Sequence, residues 1–338
     1  MVFDKELEFI ENNNLSTPIL FYSSSKIVEN LNVIKEAIFS EKVDVYYAMK
    51  SCYDSLVLDS LSSRVSGAEV MSELEFCLAE KHHFKSFILN GMGRSYDLLE
   101  RVALYPNSTI IVDSERDLEN ISKILETNPE IKNLKLGIRL IFKLDDEEYK
   151  CNNYFQLEHK LGHDISSSFC AKFFRFCSSH NRVSWDLLHT HFTINEKMPF
   201  IYQKIMQEIK QQLDKYETIY NLSPTRIDVG GGFEIYNPKE KNVFSNLFKQ
   251  IILTFNKLFP NSRLIIEPGR FLSAYSGYVI GKVLDIKNKS GKVWIVTDIG
   301  TNALIPNGNA RYCLYYPQEE VSGIKVGITD GITSPVNN

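Results

Sequence analysis

The fold class this chain predicts is α/β: a (β/α)8 TIM-type barrel followed by an antiparallel β-domain. Three observations predict it. Short apolar strands alternate with amphipathic helices from about Val43 to Arg270, which calls for right-handed crossovers and a covered parallel sheet. Chemically distinctive residues end several of those strands: Lys50, Arg139, His191, Gly230-Gly231-Gly232 and Glu267-Pro-Gly-Arg270. Parallel barrels collect such residues at the carboxyl ends of their strands. Beyond Arg270 the alternation stops, and residues 278–286 and 292–298 alternate with no helix between them, as in antiparallel sheet. A doubly wound open sheet is the alternative, but eight units over about 250 residues match a closed barrel.

Each element follows in order. Residues 1–22 form an N-terminal segment, whose Pro18-Ile-Leu-Phe-Tyr22 is expected to pair with the β-domain. Ile27, Leu31, Ile34 and Ile38 have helical spacing, with Ser23 to Ser25 as candidate caps. The first barrel strand is 43–47 and the second 65–70. Ser72-x-x-Glu75 then opens a helix as a capping box, each side chain satisfying the other's amide. Strands three and four are 87–89 and 110–112, and Ser114 caps a helix carrying Leu118, Ile121 and Leu125. Strand five, 136–141, precedes an acidic stretch at 145–148 that reads as a solvated loop. Strand six is 187–191, and the helix after it shows Ile201, Ile205, Ile209, Leu213 and Tyr216 on one face. Strands seven and eight are 227–229 and 264–266. The barrel is expected to span 23–272 and the β-domain 273–338, the latter reading as incomplete.

Composition narrows the function classes. The chain has 338 residues, 43% of them hydrophobic and 24% charged, an ordinary balance for a soluble protein with a large core. A net charge of -4 and a pI of about 6.0 favour neither nucleic acid nor an anionic membrane as partner. No apolar run reaches the length needed to span a bilayer, and the polar, acidic N-terminus is unlike a secretory signal. Cys52, Cys77, Cys151, Cys170, Cys177 and Cys313 lack CxxC pairing and read as reduced, mostly buried thiols of a cytoplasmic protein.

The strand ends carry the chemistry. Lys50 follows two tyrosines, and is either an outward-reaching surface residue or a desolvated amine. Desolvation lowers a lysine pKa and favours the neutral nucleophile that forms a Schiff base. Gly230, Gly231 and Gly232 present amides that no side chain blocks, and lie after strand seven, where barrels recurrently hold phosphate. Arg270, just after strand eight, can grip the same phosphate. Glu267 needs a cation or a donor, either a protonated pyridine nitrogen or an ion pair with Arg270 or Arg139. His189 and His191 are read as facing opposite sides of strand six, leaving only His191 to face the interior and stack on a ring. With the faces split and no third ligand nearby, no metal is expected. Asn90-Gly-Met-Gly-Arg94 and Asp113-Ser-Glu read as turns and caps, whereas Asp298 ends a strand outside the barrel and is a candidate substrate contact. Together a lysine, a carboxylate, an imidazole and a phosphate cradle fit pyridoxal 5'-phosphate.

The motifs Tyr47-Ala-Met-Lys50, Gly67-Ala-Glu-Val-Met-Ser-Glu-Leu-Glu75, Lys160-Leu-Gly162, His189-Thr-His191, Asp228-Val-Gly-Gly-Gly-Phe233, Glu267-Pro-Gly-Arg270 and Asp298-Ile-Gly-Thr-Asn302 stand in order. In them the chain resembles the fold-type III pyridoxal-phosphate decarboxylases of ornithine, arginine and diaminopimelate. The resemblance implies an alanine-racemase-like barrel and an amino-acid substrate. It also implies a homodimer, or a complementing chain, that completes the site. It implies that Lys50 carries the cofactor and His191 stacks on its ring. Gly230, Gly231, Gly232, Gly269 and Arg270 would bind phosphate, Arg139 would lie near the cofactor hydroxyl, and Glu69 would line the same site. Glu267 at the pyridine nitrogen favours decarboxylation over the racemases, which place an arginine there. A non-catalytic or regulatory homologue and a racemase are the alternatives.

Three departures from the family pattern bear on the site. The family's His-Ile-Gly-Ser is here His191-Phe-Thr-Ile194, so Thr193 replaces the phosphate-binding serine. Pro306 or Asn307 stands where an arginine usually holds a substrate carboxylate, with Arg311 slightly further on. In Asp330-Gly-Ile-Thr-Ser-Pro-Val-Asn337, Thr333 and Asn337 replace the family's cysteine and aspartate. A last family segment with a tyrosine near the phosphate has no counterpart, implying a truncated, split or complemented protein.

Overall fold

The structure is a computed structural model that describes residues 4–142, 160–289, 292–300 and 326–330. The chain divides into two units, Ser23–Ser276, and Met1–Tyr22 with Gly277–Asn338. The smaller unit begins with α1 (Asp4–Asn12) and β1 (Ile19–Tyr22). The larger unit then alternates helix and strand: α2 (Ser24–Ala37), β2 (Val43–Ala48), α3 (Ser55–Leu61), β3 (Gly67–Val70), α4 (Glu73–Lys81) and β4 (Phe87–Leu89). It continues through α5 (Tyr96–Leu104), β5 (Ser108–Val112), α6 (Glu115–Thr127), β6 (Leu134–Arg139), α7 (Ser168–Ser179) and β7 (Val183–His189). It ends with α8 (Pro199–Tyr220), β8 (Arg226–Asp228), α9 (Lys241–Leu258), β9 (Arg263–Ile266) and the single turn α10 (Arg270–Ser273). Strands β2 to β9 pair in sequence order into a closed barrel, sealed where Val43, Asp44 and Val45 of β2 lie parallel to Leu264, Ile265 and Ile266 of β9.

Local chemistry explains the elements. Strands covered on both faces become near-continuous apolar runs, and β5, Ser-Thr-Ile-Ile-Val, is buried throughout. Ser23, Ser72, Ser95, Ser114 and Ser167 each accept an amide in the first turn of their helix. The Ser72–Glu75 pair differs from the expected capping box. Glu75 N–H donates to Ser72 Oγ at 3.2 Å, but the Glu75 carboxylate turns back one residue further and accepts the Met71 N–H at 2.6 Å. It thereby ties the helix start to the end of β3. The predicted stripe on α8 is confirmed, with Ile201, Ile205, Ile209 and Leu213 buried.

Tyr46, Ile88, Ile111, Leu187 and Ile265 form a buried core cluster drawn from β2, β4, β5, β7 and β9. A polar plug sits toward the amino ends of the strands. Arg226 Nε donates to Asp186 Oδ2 at 3.0 Å and its Nη1 to the Tyr46 hydroxyl at 3.1 Å, while Thr109 and Thr225 donate to Asp186 at 3.0 and 2.7 Å. The plug fixes the base of the barrel and leaves the opposite mouth as the place where chemical groups can meet. Among the described residues, no helix is long and apolar enough to cross a membrane.

In the smaller unit, β1 pairs antiparallel with β10 (Gly277–Ile280), and β11 (Val283–Lys289) pairs antiparallel with β12 (Lys292–Thr297). β13 (Val326–Asp330) joins β12 in parallel, so this sheet is mixed rather than wholly antiparallel. Asp298 is held within this unit, where Thr17 Oγ1 and Lys282 N–H both donate to its carboxylate. The acidic stretch 145–148 lies outside the described residues, as do Cys151, Asn302, Pro306, Asn307, Arg311, Cys313, Thr333 and Asn337.

Candidate active site at the barrel mouth

Lys50 sits in the 3-10 turn Met49–Ser51 that closes β2, and its Nζ donates to Glu69 Oε2 at 2.8 Å. Glu69 lies on β3 and is wholly buried. Solvent reaches 43% of the Lys50 side chain, but from within a ring of charged groups at the mouth. Burial opposes its charge, yet Glu69 and then Glu267 outweigh that and hold the ammonium pKa above its ordinary value. Of the two readings of Lys50, neither holds alone, because two carboxylates from neighbouring strands outweigh the burial. The other oxygen of Glu69 accepts from Asn90 Nδ2 at 3.1 Å, and that amide also lies 3.4 Å from His189 Nε2.

His189 ends β7 inside the barrel, with Nε2 3.5 Å from Glu267 Oε2. At that separation alignment is too poor for a hydrogen bond, burial lowers the His189 pKa, and both Glu267 oxygens stay without a donor. His191, two residues on, accepts the Gly231 N–H on Nδ1 at 3.2 Å. Both imidazoles therefore serve the same cavity. The expected split between faces was wrong, because strand positions two apart share a face. Burial, with Lys50 and Arg139 nearby, holds the His191 pKa well below its ordinary value, so the ring is neutral.

Asp228 ends β8, and its Oδ1 accepts the Gly230 N–H at 2.8 Å. Oδ2 has no partner, although an imidazole nitrogen of His189 and carboxylate oxygens of Asp228 and Glu267 all lie within 4.8 Å of one another. Burial, then the Glu267 charge, drives the Asp228 pKa well above the carboxylate range. Burial works against the charge of Glu267 too, but His189 and Lys50 outweigh it and hold Glu267 below that range. Two buried carboxyls this close make each other's ionisation more costly.

The glycine loop has no room for side chains. A Cβ on Gly231 would lie 2.3 Å from the Glu267 carbonyl oxygen, and one on Gly232 only 2.1 Å from that of Thr193. Gly230 and Gly232 also have φ of +71 and +76 degrees, which glycine adopts without strain. Thr193 Oγ1 and the Tyr202 hydroxyl both donate to the Gly231 carbonyl at 3.1 Å. Thr193 is thus engaged in bracing the loop. Beneath the loop Phe233 stacks on Tyr202 at 5.3 Å and meets Phe248 edge-on at 4.9 Å, which stiffens it.

These residues fit pyridoxal phosphate on structural grounds. Among the described residues the Gly232 N–H and the guanidinium groups of Arg270 and Arg139 have no hydrogen-bond partner, and neither do the Glu267 oxygens. The expected alternative of an ion pair between Glu267 and either arginine is not formed. Burial lowers the Arg139 pKa, opposed by Glu267 and Glu69. Gly269 packs on Ser51, a Cβ there lying 3.0 Å from the Ser51 Cβ, so the turn carrying Arg270 adjoins the turn carrying Lys50. Sequence reasoning missed Asn90, His189 and Asp228. Each lies at a strand end or just beyond it, and Asp228 directly precedes the glycines, which was the available signal.

Residues 24–274 match the family model described as the pyridoxal binding domain of pyridoxal-dependent decarboxylases. The chain is 22% identical over 301 residues to the diaminopimelate decarboxylase of Haemophilus influenzae, covering 86% of this chain and 69% of that protein. It is 25% identical over 333 residues to the diaminopimelate decarboxylase of Methanocaldococcus jannaschii, covering 92% and 72%. The crystal structure of diaminopimelate decarboxylase from Helicobacter pylori complexed with L-lysine superposes with a TM-score of 0.81 at 22% identity, covering 98% of this chain and 82% of that one.

Proposed function

The chain belongs to the pyridoxal-dependent decarboxylases, and we propose that its barrel mouth removes the α-carboxylate of an amino acid of the diaminopimelate type. It is a pyridoxal-phosphate-dependent carboxy-lyase. The single observation that carries the proposal is the unpartnered, anionic Glu267 carboxylate on the barrel floor. The cofactor, when bound, supplies an electron sink for the carbanion left by loss of carbon dioxide.

The protein's own residues then have separate tasks. Lys50 anchors the cofactor through its amine, and Glu69 holds that amine in place and is the nearest base for its proton. Glu267 accepts a hydrogen bond from the ring nitrogen, and its charge keeps a proton there. His191, neutral and fixed by Gly231, covers one face of the ring. The Gly232 amide and Arg270 hold the phosphate, with Gly230, Gly231 and Gly269 allowing the close approach. Arg139 would hold the ring's phenolic oxygen. The substrate class is supported by the names of the relatives. Asp298 remains a candidate substrate contact, and so do Arg311 and Thr333.

The test is direct. Purified protein loaded with pyridoxal phosphate is reduced with borohydride, and the modified peptide is mapped. Carbon dioxide release is then measured on diaminopimelate, lysine, ornithine and arginine, while chirality at the α-carbon is followed. The expected results are a label on Lys50 and sustained carbon dioxide release from diaminopimelate or a close analogue. Racemisation without carbon dioxide, or a colourless protein that takes up no cofactor, overturns the proposal. Size-exclusion chromatography of the loaded protein checks the homodimer that the resemblance implies.

A further inference from the structure

The floor of the mouth carries one carboxyl more than the proposed chemistry uses. Asp228 is wholly buried, yet only one of its oxygens is satisfied, by the Gly230 amide. The other oxygen has no hydrogen-bond partner, and ligand atoms of Asp228, Glu267 and His189 lie within 4.8 Å of one another. A second bare anion there would stand against Glu267, with Arg139 already shared among Glu267, Glu69 and Asp113. A neutral acid solves this, because its O–H is the donor that Glu267 lacks.

We propose that Asp228 is a neutral carboxylic acid in the folded protein, and that its O–H orients the Glu267 carboxylate, which makes Asp228 a positioning residue for the cofactor ring. This deepens the reading of the mouth as the cofactor site, but its first test does not depend on it. With one Glu267 oxygen tied to Asp228, the other is left directed into the cavity. The charged and polar groups about Asp228 are Glu267 at the end of β9, His189 on β7, Glu69 on β3, Arg139 at the end of β6 and the Gly230 N–H of its own loop. The Gly230 N–H and the more distant Arg139 charge favour its ionised form, whereas burial and both carboxylates oppose it. The Glu267 side gains from His189 and Lys50 instead.

Infrared spectra of the cofactor-free protein in water and in heavy water test the proposal first. The expected result is a protonated-carboxyl stretch that persists at pH 7, far above the ordinary aspartate pKa of about 3.9. It should vanish in Asp228→Asn. No such band in the unmodified protein overturns the proposal even if a variant fails to fold. A band that survives in Asp228→Asn also overturns it, by placing the proton on another carboxyl. A second readout uses cofactor affinity, where Asp228→Ala should raise Kd about tenfold or more, whereas the N–H donor of Asp228→Asn should restore it to within about threefold. Equal loss in both variants refutes the positioning role. A persistent band in a protein that binds no cofactor would retain the shared proton and sink the functional reading instead.

Discussion

Gly232→Ala isolates the phosphate cradle, because its cost can be worked from the structure and compared with a control. At φ +76 degrees an alanine costs about 1–2 kcal/mol in backbone strain. Its Cβ would lie 2.1 Å from the Thr193 carbonyl oxygen, and ordinary contact begins at 3.4 Å, so the two loops must part by about 1.3 Å. A displacement that large carries an amide out of hydrogen-bond range of a fixed phosphate oxygen. Losing one hydrogen bond to a charged group costs about 1.5–3 kcal/mol, or roughly 10- to 150-fold in cofactor Kd. Gly93→Ala is the control, since Gly93 has φ +67 degrees but no atom within 4 Å of its Cβ. It incurs the strain alone. For a unit of this size Tm falls by about 2–4 °C per kcal/mol, so Tm should drop about 2–8 °C with cofactor Kd unchanged within about twofold. Fluorescence titration with pyridoxal phosphate and thermal melts of both variants measure the two quantities. Wild-type cofactor affinity in Gly232→Ala would refute the cradle, whatever its Tm.

Three other outcomes follow from the same structure. Glu69→Gln removes the anion that most strongly opposes deprotonation of Lys50, so half-maximal labelling of Lys50 by an aldehyde reagent should move to lower pH. The sign agrees with stability. The raised Lys50 pKa stabilises the folded protein below the ordinary lysine pKa of about 10.4, and that contribution is lost as pH climbs through the folded value. Arg226→Leu strands Asp186 in the barrel base without its cation and should destabilise by about 3–5 kcal/mol in urea melts, with Asp186→Leu in the same chain recovering much of that. Cys170 and Cys177, both pushed up to about 12 by burial, should resist thiol reagents at pH 8 until the protein is unfolded, as peptide mapping would show.

The barrel was legible because each strand is a short apolar run stopped by a polar residue, and covered parallel strands require that pattern. The residues whose function follows from position at a strand end were legible for the same reason: Lys50, Arg139, Glu267 and the three glycines. What sequence order conceals is which strand ends meet. Glu69, Asn90, His189, Asp228 and Glu267 come from β3, the β4 end, β7, β8 and the β9 end, and they touch only once the barrel closes β2 onto β9. The two electrostatic expectations that changed did so at these junctions. Lys50 is a held ammonium because Glu69 and Glu267 reach it from other strands, and Thr193 is a brace because Gly231 presents a carbonyl to it from the next loop. One error was avoidable from the chain alone, since the two-residue step from His189 to His191 already places both on one face. Had that step been applied, a buried imidazole beside Glu267 would have been expected. The consequence is physical. His189 and Lys50 hold the Glu267 pKa down, and so the acid–base state of the floor depends on β2, β7 and β9 holding their register at once.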